Sequence, residues 1–93
     1  MGFTSVDVLV CNPENPERRR SVRLLVDTGA LYTIVSRNIL AELEIRSLGR
    51  RGFSLADGSR IEREMGGALY RIGEWSGHAP IIFGEEKDQE LLG

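Results

Sequence analysis

Ninety-three residues, 41% hydrophobic and 28% charged, describe one globular domain small enough that its stability on its own is marginal. A formal net charge of −2 argues against an electrostatic nucleic-acid binder, although eleven of the twelve basic residues are Arg and only Lys87 is Lys. No stretch approaches the roughly 20 apolar residues of a spanning helix. Cys11, the sole cysteine, leaves no intrachain disulfide and no cysteine zinc site.

In chain order, Met1 to Ser5 lacks the basic-then-apolar pattern of a secretory leader, so a cytoplasmic protein is expected. Val6, Val8 and Val10 recur with period two, predicting a strand over Thr4 to Val10. Asn12-Pro13-Glu14-Asn15-Pro16 breaks that pattern, and Val22, Leu24 and Val26 restart it, predicting a hairpin closed by a long polar loop. Arg18-Arg19-Arg20 falls in that loop beside Glu14 and Glu17 and reads as a solvated face. Asp27-Thr28-Gly29 interrupts the strand signal, which resumes at Tyr32 to Val35. Ser36 suits the N-cap of a helix over Arg37 to Leu43, whose Ile39, Leu40 and Leu43 share one face. Beyond it, Gly52 to Ala56 and Ser59 to Met65 flank Asp57-Gly58, a dipeptide suited to a tight hairpin turn. Gly66-Gly67 predicts a bulge or bend, Gly73 to Gly77 a turn around a partly buried Trp75, and His78 to Phe83 a strand. A polar loop over Gly84 to Glu90 then gives way to the short apolar element Leu91-Leu92-Gly93. The expected architecture is a single all-β domain over residues 1–93, with one short helix.

The chemistry concentrates at Asp27. A carboxylate that ends an apolar strand, with the Thr28 hydroxyl and Gly29 after it, is fixed by the strand and closely approachable at the glycine. Asp, Thr and Gly are also ordinary turn residues, so the triplet alone is weak. Its context carries more: Leu24-Leu25-Val26 before it, Ala30 after it, and a hairpin and an apolar-apolar-Gly triplet further on. Only one such element is present, and hydrolysis by paired carboxylates needs two, so the second is expected from another copy of the chain across a two-fold axis.

Leu24 to Ala30 resembles the active-site motif of the retropepsin-like aspartic proteases, the single-lobed relatives of pepsin that work as homodimers. The resemblance implies a retropepsin-like closed β-barrel or sandwich, with Asp27 as the catalytic residue and Thr28, Gly29 and Ala30 as its supporting loop. It also implies a flap hairpin over Phe53 to Glu64, in which Leu55, Ala56, Asp57, Gly58 and Ser59 meet the substrate. Leu91-Leu92-Gly93 matches the family's apolar-Gly motif, which packs beneath the catalytic loop. The implied partners are a second copy and a peptide or protein substrate in an apolar cleft that could include Leu31, Ile34 and Ile82. No metal, cofactor, nucleic acid or membrane is implied. Chains of this family continue past the equivalent glycine into a helix and a terminal strand, whereas the 93 residues here stop at Gly93.

A second reading keeps the fold without hydrolysis, as a dimerisation or peptide-binding module. A phosphoryl-transfer role for Asp27 finds no P-loop or second acidic metal motif to support it. His78 lacks a nucleophile or metal partner and reads as structural or surface; Glu85, Glu86 and Asp88 lack a calcium-loop pattern and read as a solvated loop.

Overall fold

A computed structural model of the chain describes residues 4–27, 32–54 and 58–93. Seven strands and one helix follow in the order β1 (Ser5–Asn12), β2 (Asn15–Val26), β3 (Thr33–Ser36), α1 (Arg37–Glu42), β4 (Gly49–Ser54), β5 (Arg60–Ile72), β6 (Trp75–Gly84) and β7 (Leu91–Leu92). The all-β class with one short helix holds.

The strand pairings run in a closed circuit. In spatial order β1, β2, β7, β3, β6 and β5 pair successively, and β5 returns to β1 through Leu9↔Arg71, Val10↔Tyr70 and Cys11↔Leu69. Closure gives each strand of the circuit a neighbour on both sides over part of its length, which shortens the open edges that a flat sheet would leave. Strand β4 stands outside the circuit and pairs with β5. Two pairings are parallel, β2 with β7 and β3 with β6, and both lie at the Asp27 end of β2 or next to it.

The period-two pattern explains the core. Val8 and Val10 of β1 turn inward opposite Val22 and Arg20 of β2, and Leu24 lies opposite Val6. Val8, Val10, Leu24, Val35, Leu40 and Ile81 are fully buried, and Tyr70 and Phe83 join the same cluster. Each such side chain contributes about 1.5–3 kcal/mol on leaving water. Helix α1 adds Leu40 to this cluster, and Leu43 joins it from the helix's C-cap. Its N-terminus is capped by Ser36, whose side chain accepts from the Asn38 N–H, as the sequence predicts.

Three expectations are corrected. The long polar loop between β1 and β2 is instead a tight turn at Pro13 and Glu14, because β2 begins at Asn15 and its residues 15–21 form an exposed ribbon. Asn12 makes that turn possible. Its Oδ1 accepts from the Glu14 and Asn15 N–H groups, while its Nδ2 donates to the Leu43 and Glu44 carbonyls beyond α1. Gly66-Gly67 lies within the unbroken strand β5; a side chain at Gly66 would meet the Arg46 carbonyl at 2.6 Å, so close approach rather than bending requires the glycine. Trp75 is 58% exposed rather than partly buried, its ring lying over Gly77.

Candidate active site

Asp27 follows directly on β2 and is half-buried. Its backbone position is fixed from two sides. The preceding Val26 N–H donates to the Thr4 carbonyl at 2.8 Å, and the Asp27 N–H donates to the Leu92 carbonyl at 3.1 Å. Leu91-Leu92 therefore lies alongside the end of the strand that carries the carboxylate.

Leu91-Leu92-Gly93 also meets Tyr32 and β3. Leu91 pairs with Leu25 of β2 on one side and with Ile34 of β3 on the other, so β7 is inserted between the strand that ends at Asp27 and the strand that begins at Thr33. The Gly93 N–H donates to Thr33 Oγ1 at 3.2 Å. A side chain on Gly93 would come within 2.6–2.8 Å of the Tyr32 backbone, an approach only hydrogen tolerates. The glycine of the motif is thus a packing requirement. Thr33 itself is buried and neighbours the Tyr70 hydroxyl, which donates to the Pro80 carbonyl; burial raises the Tyr70 pKa, so the phenol stays protonated and its bond persists.

The hairpin of β4 and β5 reaches this region through an aromatic pair. Phe53 and Tyr32 meet edge to face, with ring centroids 5.4 Å apart and planes at 73°. The strands pair from Ser54↔Arg60 down to Gly49↔Met65, so the hairpin is longer than the sequence pattern suggests. Gly58 is exposed with φ +88°, the left-handed conformation expected at the turn, and Ser59 is exposed beside it.

Of the expected site residues, Asp27, Gly58 and Ser59 are thus placed, while Thr28, Gly29, Ala30, Leu31, Leu55, Ala56 and Asp57 lie outside the described residues. Ile34 is half-buried and lies opposite Ile82 in the β3–β6 pairing; Ile82 is 4% exposed but stands outside the core cluster, which its neighbours Ile81 and Phe83 join from the other face of β6. His78 is exposed and Cys11 is buried in the core, where desolvation raises its thiol pKa and keeps it unreactive. Among the described residues, no group of three or more His, Cys, Asp or Glu side chains is arranged to hold a metal.

An ion-pair system that the sequence did not announce lies beside the hairpin. Arg63 of β5 makes a two-pronged bond to Asp88, Nε to Oδ2 at 2.6 Å and Nη2 to Oδ1 at 2.9 Å, with both side chains largely buried. The bond to Arg63 holds the Asp88 carboxyl below the usual carboxylate range. Arg37, at the start of α1, bridges Glu64 of β5 and Glu85. The solvated-loop reading of Glu85 and Asp88 is corrected accordingly: both are paired. Sequence alone could not find these partners, because 25 residues separate Arg63 from Asp88 and no periodicity relates them.

Searches of the chain against protein-family models and against curated proteins return no match.

Proposed function

We propose that this chain is a retropepsin-like aspartic endopeptidase that acts as a homodimer, with one Asp27 from each copy. The observation that carries the proposal is the seating of Asp27: a carboxylate at the end of an apolar strand, its N–H bonded to Leu92, with Gly93 pressed against Tyr32 on the far side of the same short strand. The closed circuit of strands and the hairpin that touches Tyr32 through Phe53 support the same reading.

The mechanism follows from electrostatics. Two carboxyl groups about 3 Å apart cannot both be ionised, so one keeps its proton while the other is a base. The ionised Asp27 takes a proton from a water between the pair, and the water attacks the scissile carbonyl as the protonated Asp27 hydrogen-bonds to the carbonyl oxygen. Proton transfer to the leaving nitrogen then releases the two peptide fragments. The hairpin, in this reading, covers an extended substrate and excludes bulk water.

The test is a peptide-library digest between pH 3.5 and 7, with the unaltered chain and Asp27→Asn side by side. Internal peptide bonds should be cleaved by the former, and the substitution should lower the rate at least about 10³-fold while leaving the fold and the self-association intact. Peptide binding without cleavage by the unaltered chain would favour the non-catalytic module instead.

A further inference from the structure

The β4–β5 hairpin leaves the ring of strands at Met65. From Met65 to Ile72 β5 is flanked by β6, but its residues Arg60–Glu64 pair with β4 alone. A bare two-stranded ribbon is marginally stable in water and has no preferred angle to the body that carries it. Side chains supply the angle here. Arg63 and Glu64 leave β5 on opposite faces, yet both reach the turn at Glu85–Asp88, Arg63 directly and Glu64 by way of Arg37.

The receiving group is set in advance. Asp88 Oδ2 accepts from the Glu85 N–H at 2.8 Å, and the Asp88 N–H donates to the Glu85 carbonyl at 2.9 Å, so the carboxylate is oriented by its own turn. Arg63 and Asp88 side chains are 17% and 16% exposed, whereas the Arg18, Arg20 and Arg23 pairs are at least half exposed. The turn continues into Glu90, whose Oε2 accepts from the Ser36 N–H and whose carbonyl accepts from the Leu25 N–H. Next comes β7, to which the Asp27 backbone is bonded. An unbroken series of contacts therefore joins the hairpin stem to the strand beside Asp27.

We propose that Arg63 and Asp88 are positioning residues that register the β4–β5 hairpin against β7, so that hairpin and Asp27 hold a common geometry through an ion pair remote from the carboxylate. The mechanical coupling stands by itself; its catalytic consequence rests on the protease reading above.

Arg63→Met, Arg63→Lys and Asp88→Asn test it, with hydrogen exchange followed by mass spectrometry in segments 49–54, 60–64 and 85–92 and in β1 as an internal control. Loss of a partly buried, charge-assisted pair should speed exchange in all three segments by about tenfold in the Met and Asn variants. The Lys variant, which keeps the charge but loses the fork, should fall between these and the unaltered protein, and β1 should not change. With a cleaved peptide, KM should rise by a comparable factor while kcat changes less than about twofold, the signature of lost substrate holding rather than lost chemistry. Faster exchange in the hairpin with none in 85–92 would overturn the coupling, as would a uniform increase that includes β1. Altered exchange with an unmoved KM would overturn the positioning role. If the unaltered chain cleaves nothing, the protease reading fails, and the exchange pattern still decides the coupling.

Discussion

The two halves of β2 are built under opposite constraints. Residues 15–21 are exposed throughout, and their Arg18 and Arg20 form ion pairs with Glu44 and Glu42 at the surface. Further along, Val22 and Leu24 are buried, Leu25 and Val26 are flanked by β1 and β7, and the strand ends at Asp27. Among the described residues the first half pairs with β1 alone, whereas the end of the second half is flanked by both β1 and β7 and is held by the core. A carboxylate placed at the end of the second half inherits that rigidity; the first half can vary at little cost. Precise placement of a reacting group calls for a rigid, well-supported element, and the core-held half supplies it.

The contrast is most easily broken at Leu24. Leu24→Ala removes a fully buried side chain next to the candidate site and should cost about 2–5 kcal/mol, a large share of the roughly 5–15 kcal/mol that holds such a domain together. Urea unfolding should show a midpoint shifted far down, and a loss under about 1 kcal/mol would mean that the core does not carry this end of the strand. Gly93→Ala comes next. Its methyl would meet backbone atoms of Tyr32, which cannot rotate away, so about 1–3 kcal/mol should be lost, together with protection of the β7 amides against exchange. Full stability in that variant would show that β7 does not press on Tyr32.

A pH dependence sharpens the picture further. Asp88 titrates below its unfolded value of about 3.9, so its contribution is complete above that pH and is lost as the pH falls through the lowered native value. Asp88→Asn should therefore be less stable than the unaltered chain at pH 7 and pH 5, with the two urea midpoints converging below about pH 4. A gap that widens on acidification would reverse the assigned sign. The hairpin attachment is thus retained in mildly acidic solution, the range in which the proposed carboxylate pair would be assayed. The smallest effect belongs to the exposed half of β2: Arg20→Ala should change stability by under about 1 kcal/mol despite its 2.7 Å pair with Glu42. A larger loss would mean that residues 15–21 are more than a solvated ribbon.

Where the chain has an apolar face, its sequence was readable. Alternating Val residues gave β1 and the core half of β2, Ser36 and the Ile39-Leu40-Leu43 face gave α1, and Leu91-Leu92 gave the short β7. The exposed ribbon from Asn15 was hidden for the complementary reason: with both faces in water no alternation is selected, and its pairing rests on backbone bonds and the Asn12 side chain. Gly66 looked like a bend because a glycine's identity does not distinguish a need for freedom from a need for space. At the candidate site, Asp27 and Gly93 were legible as a local motif, whereas the Arg63–Asp88 bond depends on how the hairpin stem meets the Glu85–Asp88 turn, which no local pattern encodes.

The central claim, that each working site takes one Asp27 from each of two copies, is tested most directly by mixing. Unaltered chain and Asp27→Asn are combined at fixed total concentration, allowed to exchange partners, and assayed for peptide cleavage as the unaltered fraction is lowered. A shared site predicts a rate that falls with the square of that fraction, to about a quarter at equal amounts, because mixed pairs hold a single carboxylate. A rate that falls in simple proportion, to half at equal amounts, would show that each copy cleaves by itself and would contradict the account.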